Sequence, residues 1–324
     1  MIKSILTSGL TRYIAGRLAL AVVTMFALAS LTFIVMRYVP GDPLTRTKEI
    51  PAAVRENLEA KYGLNRPLYI QYGIQMKRMF IDWDFGESFR TVDRKVNSMI
   101  KEQFPASAAI GTLALVFGTI VGLGLGIIAA LYRNSIIDRA ATVLCVVGIA
   151  IPSVVFVYVV QYFGAVFPLT KMHVDPDHWV RTVGWGQWRD LILPSFTLSL
   201  SIIAVMTRYM RSQMVDVSFA EYVRTAKAKG VSTLRLIFAH EIRNAILPVV
   251  SLLGPIFVGA ISGSLVVEGV FGVPGLGVAF INSISNNDYN VLMGLTVFYG
   301  GFFIIVNLFT DILYGIIDPR IRFG

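Results

Sequence analysis

Stretches without a single acidic or basic residue punctuate this chain: Leu18–Met36, Gln103–Tyr132, Ala140–Thr170, Leu191–Thr207, Asn244–Val267 and Tyr289–Thr310. They run from 17 to 31 residues, and a helix needs roughly 20 apolar residues to cross about 30 Å of hydrocarbon. Inside lipid a segment must satisfy its own backbone amides, so each stretch is predicted to be a helix. Apolar residues come in blocks, not at the one-faced spacing of a soluble helix. The pattern therefore predicts an all-α, polytopic membrane protein with six transmembrane helices. One further uncharged stretch, Gly269–Asn287, holds Gly269, Gly272, Pro274, Gly275 and Gly277, then Asn282, Asn286 and Asn287. That composition disfavours a continuous helix and predicts an irregular or re-entrant excursion on the outer face. The first block runs into Arg37 with no small-residue cleavage pattern, so it is expected to remain as an anchor.

Composition agrees with the pattern. Of 324 residues only 15% are charged, against about 25% in soluble domains. The formal charge of +9 could point to nucleic acid, but its distribution points to topology. Lys3, Arg12, Arg17, Arg133, Arg139, Arg208, Arg211, Arg224, Lys227, Lys229, Arg235, Arg243, Arg320 and Arg322 all fall on one side of a six-span chain. The positive-inside rule then puts both termini in the cytoplasm, and nucleic-acid binding is not expected. Cys145 is the single cysteine, which excludes an internal disulfide, a cysteine metal cluster and a CxxC pair.

The organisation that follows has a cytoplasmic N-terminus and first span (1–36), an extracytoplasmic loop (37–102) and a five-span core (103–324). The core carries a cytoplasmic segment at 208–243. In the first loop a helix-like stretch, Pro51–Tyr62, is followed by a stop and turn at Gly63-Leu64-Asn65-Arg66-Pro67. Trp83, Phe85 and Phe89 around Gly86 are suited to pack that loop on the membrane surface. In the second loop His173 and His178, with Asp175 and Asp177, could bind metal. The neighbouring tryptophans make ordinary interfacial anchoring the preferred reading, and no metal is expected.

The cytoplasmic segment is the most informative. Ser218-Phe219-Ala220-Glu221 reads as a capping box, opening a short helix over Phe219–Lys229 that Gly230 stops, with Ser232 placed to cap a second. Tyr222, Val223 and Ala226 form an apolar face on a piece too short to bury itself, which implies a protein partner below the membrane. Within the spans, Gly118, Gly122 and Gly126 recur every four residues on one face, the spacing of close helix contact. Pro152, Pro194, Pro248 and Pro255 are candidate kinks.

Glu221-Tyr222-Val223-Arg224-Thr225-Ala226-Lys227-Ala228-Lys229-Gly230, followed by His240-Glu241-Ile242-Arg243-Asn244-Ala245-Ile246-Leu247-Pro248, resembles the cytoplasmic signature of ABC-importer permeases of the dipeptide/oligopeptide/nickel branch. Val39-Pro40-Gly41-Asp42-Pro43, Tyr62–Leu68, Asp84-Phe85-Gly86-Glu87-Ser88, Val273-Pro274-Gly275-Leu276-Gly277 and Asp318-Pro319-Arg320-Ile321-Arg322 extend the resemblance along the chain. It implies a type I importer permease fold in a bacterial or archaeal inner or plasma membrane. The implied partners are a second homologous permease, two cytoplasmic ABC ATPases, an extracytoplasmic solute-binding protein and membrane lipid. Ser218, Glu221, Tyr222, Val223, Arg224, Ala226, Lys227 and Gly230 would belong to the element that couples to an ATPase. Di- or oligopeptides are the implied cargo, with nickel or another small solute as the alternative. The chain lacks a Gly-x-x-x-x-Gly-Lys-Ser/Thr loop, so it is expected to be no enzyme and to bind no cofactor, ATP and magnesium being used by the ATPases.

The residues argue against two rival functions. An ion-coupled carrier usually needs intramembrane carboxylates, whereas Arg37, Glu268 and Asp311 are read here at span ends. An intramembrane protease lacks a histidine at membrane depth. Gln161, Asn244 and Asn307 are expected to bond neighbouring helices or backbone.

Overall fold

The computed structural model describes residues 2–38, 56, 59–60, 63–91, 93–175, 179–262 and 264–317. In chain order the helices are α1 (Ile2–Tyr38), α2 (Leu68–Phe80), α3 (Val96–Leu131), α4 (Ile136–Ala150), α5 (Ser153–Lys171) and α6 (Ile192–Ser218). They continue with α7 (Glu221–Ala228), α8 (Thr233–Val250), α9 (Leu253–Ser262), α10 (Leu265–Phe271), α11 (Leu276–Ser285) and α12 (Tyr289–Ile317). No strand occurs among the described residues. Five continuous helical stretches there are long and apolar enough to cross a membrane: Ala15–Tyr38, Val96–Leu131, Ser153–Lys171, Trp188–Ser218 and Tyr289–Thr310. Two bent pairs pass the same length and composition test only when each is taken together, α8–α9 at 47° and α10–α11 at 102°, so the described residues offer five to seven spans.

The breaks have identifiable causes. The uncharged stretch Ala140–Thr170, expected as one span, is two helices. Pro152 has no amide to donate and pushes the residue before it out of helix, and Ile151 accordingly sits at φ −76, ψ 125. In the α8–α9 pair, Pro255 cannot donate back to Ser251, and the helix breaks at Ser251–Leu252. Pro194 lies in the first turn of α6, where its missing amide has no helical partner to lose. Gly269–Asn287 is indeed not a continuous rod: Gly272 closes α10 in the left-handed conformation at φ 68, and Gly275 opens α11 in extended conformation. At seven and ten residues, and 1.5 Å per residue, neither helix spans hydrocarbon alone.

The chain separates into two compact units, Met1–Ala106 with Gly275–Ile305 and Gly324, and Ser107–Pro274 with Val306–Phe323. In the first, Ala29 and Phe33 of α1 pack with Met76 and Met79 of α2 and with Met293 and Val297 of α12. Gly63 at φ 68 ends a helical turn, the Leu64 amide bonding back to the Glu59 carbonyl at 2.9 Å, so the expected stop is present. The rest of the Pro51–Tyr62 expectation, and the Val39–Pro43 motif, lie outside the described residues.

The Asp84–Ser88 motif is a clasp. The Asp84 carboxylate accepts the Gly86 amide at 3.0 Å, and Gly86 holds φ 87 where a Cβ would lie 3.1 Å from the Asn290 side chain. Asn290 donates to the Glu87 carbonyl at 2.8 Å. The buried Asp288 carboxylate, just ahead of α12, accepts the Ser88 hydroxyl and the Phe89 amide, the latter at 3.1 Å. Of the three aromatics expected at the membrane surface only Trp83 is exposed. Phe89 is buried with Met36, Tyr289 and Leu292, and Phe85 packs on the α2 and α12 methionines.

Asp288→Ala removes the acceptor of a charge-assisted cluster worth roughly 1.5–3 kcal/mol per bond. The variant is expected to insert normally but to melt earlier in detergent, with new protease cuts between residues 82 and 95. An unchanged melting temperature and digest would show that the clasp does not hold this segment.

Candidate functional site

The second unit is built on α6, the most buried of the long spans. Its close neighbour is α3, and the contact is made by the glycines singled out in the sequence. A Cβ on Gly118 would lie 2.8 Å from the Ile202 Cβ, one on Gly122 2.5 Å from the Met206 Cβ, and one on Gly126 2.7 Å from the Met210 Cβ. The four-residue step of α3 thus meets the four-residue step 202, 206, 210 of α6, and no side chain larger than hydrogen fits between them. On other faces of α6, a Cβ on Gly148 of α4 would meet the Ala204 Cβ at 2.8 Å, and Ala245 and Val249 of α8 pack with Met210 and Met214.

Towards one end α6 is fixed to the first turn of α4. The Arg211 guanidinium grips the buried Asp138 carboxylate in bidentate fashion, Nε to Oδ1 at 2.5 Å and Nη2 to Oδ2 at 2.8 Å. Asp138 also accepts the Asn134 amide at 2.9 Å. Arg133 stacks its guanidinium over the Phe219 ring at 5.2 Å. In the sequence these arginines counted only as topology signals; the one cue to their pairing was Asp138, the lone acid among the basic residues of that turn.

Past this anchor α6 runs into the hairpin of α7 and α8. The capping box expected at Ser218 does not form. Ser218 is the last residue of α6 and donates its hydroxyl back to the Val215 carbonyl at 2.7 Å. Helix α7 begins later, at Glu221, behind Ala220, and has no side-chain cap. A cap contributes about 1 kcal/mol, less than the roughly 1.5–3 kcal/mol of burying a valine. Val223 is 3% exposed and Ala226 9%, packed on Leu236 with Val217, Ala220 and Val231 around them. That burial holds α7 in place. It also corrects the expected apolar face, because Val223 and Ala226 bury themselves within the chain whereas Tyr222 is 46% exposed.

The stop at Gly230 is a Schellman ending: the Gly230 amide bonds to Lys227 O at 3.0 Å and the Val231 amide to Ala226 O at 3.3 Å. Gly230 sits at φ 78, a conformation that L side chains rarely adopt. Ser232 occupies the cap position of α8 without a side-chain bond.

What the hairpin presents outward is a mixture of aromatics and charge. Phe219, Tyr222, Leu234 and Phe238 are exposed, and Glu221, Arg224, Lys227 and Lys229 are exposed beside them. The Tyr222 phenol lies near the Asn244 side chain and the Glu241 carboxylate of α8. Partial burial raises the pKa of its phenol, the Asn244 side chain opposes that, and the Glu241 charge adds to it, so Tyr222 stays neutral. Exposed large apolar groups with a polar surround mark protein interaction surfaces.

One polar site escaped the sequence reading and another matches it. Glu268, placed there at a span end, is fully buried in α10 and accepts the Ser107 hydroxyl at 2.7 Å and the Ser264 hydroxyl. Gln161, expected to bond backbone, donates to Thr182 O at 3.0 Å and Val270 O at 3.1 Å. Among the described residues no group of three His, Cys, Asp or Glu side chains could hold a metal; Asp177 and His178 lie outside them.

Comparison with known proteins follows this geometry. The family model of binding-protein-dependent transport system inner membrane components matches residues 122–323, and the N-terminal model of such membrane components matches 10–111. The chain is 40% identical over 314 residues to the oligopeptide transport system permease protein OppB of Haemophilus influenzae, covering 96% of this chain and 99% of that protein. It is 38% identical over 317 residues to the dipeptide transport system permease protein DppB of Bacillus subtilis, covering 97% and 98%. Among solved structures, an inward-facing MetNI methionine ABC transporter chain superposes at a TM-score of 0.51 with 14% identity, over 68% of this chain and 96% of that one. That likeness speaks for the fold alone.

Gly122→Leu is expected to destabilise the detergent-solubilised protein by about 1–3 kcal/mol, whereas Gly124→Ala, whose Cβ meets nothing within 4 Å, should leave the melting temperature unchanged. Equal melting of both variants would dissolve the glycine seam. Arg211→Met, which leaves the Asp138 carboxylate buried and unpaired, should cost about 3 kcal/mol, and adding Asp138→Asn should recover part of it. Additive losses would mean the two groups do not interact.

Proposed function

Because the chain belongs to the family of binding-protein-dependent transport system inner membrane components, we propose that it forms half of the pathway of an ATP-driven importer of di- or oligopeptides. In this reading it is no enzyme itself: hydrolysis belongs to two separate ABC ATPase subunits. A second homologous permease completes the pathway, and an extracytoplasmic binding protein delivers the peptide. Both termini and the α7–α8 hairpin lie in the cytoplasm, as the clustering of arginine and lysine on that side argues. Peptide cargo rests on the oligopeptide and dipeptide relatives at 38–40% identity over nearly whole chains; nickel or another small solute is the alternative.

The observation that carries the mechanism is the continuity of the lever. Helix α6 is seated on α3 without intervening side chains, is pinned at Asp138, and leads directly into α7. A force on the outward face of α7 (Glu221, Tyr222, Arg224, Lys227) is passed to α8 through Val223 and Ala226, and to α6 through Val217. Nucleotide binding to the ATPases can shift the permease between conformers only by as much as it favours one of them. A stiff connection keeps that difference from being lost in local bending.

The test is uptake of a radiolabelled peptide into proteoliposomes holding the complete transporter and its binding protein. ATP-dependent uptake supports the reading; uptake driven by an ion gradient without ATP, or by this chain alone, rejects it. Gly230→Pro, which cannot adopt φ 78, and Glu221→Lys are expected to assemble and hydrolyse ATP but to lose uptake by about tenfold or more, the scale of a typical coupling energy. Wild-type uptake by both would remove α7 from the coupling path.

A further inference from the structure

Helices α4 and α6 run antiparallel, since Asp138 meets Arg211 at one end of the pair and Gly148 meets Ala204 further along. Between them, on one side of α4, opens a groove of about 510 Å³, within the ~300–1,000 Å³ range of small-molecule sites. Its two walls differ in chemistry. The α4 wall is mostly apolar, with Val146, Ile149 and Ala150 beyond Ala141, Thr142 and Cys145. The α6 wall carries Arg208, Arg211 and Ser212, at the end where the hinge arginines cluster. No carboxylate lines the groove. Arg211 is committed to Asp138, whereas Arg208 is exposed and pairs with no carboxylate among the described residues.

An apolar trough that ends in an uncompensated guanidinium at the edge of a span has the layout of a phospholipid: tail along one wall, phosphate at the cation. A guanidinium binds phosphate oxygens in a fork, and basic pockets between spans favour lipids of net negative charge. We propose that this groove is a binding site for an anionic phospholipid, with Arg208 and Ser212 holding the phosphate and Val146, Ile149 and Ala150 contacting an acyl chain. A helix from a partner subunit would need to bring a carboxylate to Arg208 and would not match the apolar wall beneath it as well as a flexible chain does. A zwitterionic lipid brings the same phosphate together with an ammonium that the arginine repels.

The experiment uses the delipidated, complete transporter titrated with phosphatidylglycerol or phosphatidylcholine, bound lipid being counted by native mass spectrometry. Phosphatidylglycerol is expected to be retained preferentially. Arg208→Gln should weaken that retention about fivefold, the effect of one basic residue at a membrane surface, whereas Arg208→Lys should keep most of it and Arg94→Gln, outside the groove, should change nothing. A photo-crosslinker at Ile149 should capture phosphatidylglycerol. Equal retention of the two lipids, no response to Arg208→Gln, or capture of a protein subunit at Ile149 would each overturn the site.

Discussion

Two helices in lipid gain nothing from hiding apolar surface, because the solvent around them is as apolar as they are. What brings α3 and α6 together is backbone contact, made possible by removing every side-chain atom from one face of α3. At Gly118, Gly122 and Gly126 even a methyl group would collide with Ile202, Met206 or Met210. The dispersion contacts and weak Cα–H bonds available at such separations are individually small, but they recur over three turns and fix the register of the pair. Everything else in the second unit is arranged around the helix so held: α4 through Gly148 on Ala204, α8 through Ala245 and Val249, and the hinge through Arg211 on Asp138.

That arrangement decides which parts can move independently. Helix α7 is short, uncapped and eight residues long, so it has little stability of its own. Its position comes from two valines of the flanking chain, Val217 and Val231, and from Leu236 of α8. It therefore follows α6 and α8. The Schellman ending at Gly230 sets the angle at which the chain leaves. A push on the hairpin is a push on both spans.

Much of this was legible in the sequence because membrane patterns are coarse and strongly constrained. Charge-free blocks located the spans, glycines at four-residue spacing located the seam, and Gly63 and Gly230 located helix ends. The misses share a cause. Ser218 and Glu221 have the spacing of a capping box, yet spacing cannot tell a helix start from a helix that has not finished, and the buried methionines of α6 carry that helix through Ser218. Ala140–Thr170 counted as one span because it holds no charge, and Pro152, named as a candidate kink, in fact divides it into two helices. Glu268 was read as a span-end acid and Asp138 and Asp288 were given no role, whereas each is a buried acceptor whose donors are distant in sequence or supplied by backbone. Long-range pairing of polar groups has no periodicity to betray it.

The broken helix pair α10–α11 shows how irregular backbone is kept inside such a protein. Ending α10 at Phe271 leaves carbonyls without their helical donors, and lipid cannot supply replacements. The chain supplies them instead: the Gln161 amide reaches Val270 O, the Gly184 amide reaches Phe271 O at 3.0 Å, and the Val273 amide folds back to Glu268 O at 2.9 Å. The Glu268 carboxylate, with no water to meet, takes the hydroxyls of Ser107 and Ser264. Gln161 therefore has a structural reason to sit in an otherwise apolar helix, and the same contacts bind α3, α5 and the loop before α6 to one short helix. Loss of any of these donors would leave a buried backbone carbonyl or carboxylate without that partner, so the interruption at Gly272 is held by residues that lie far from it in sequence.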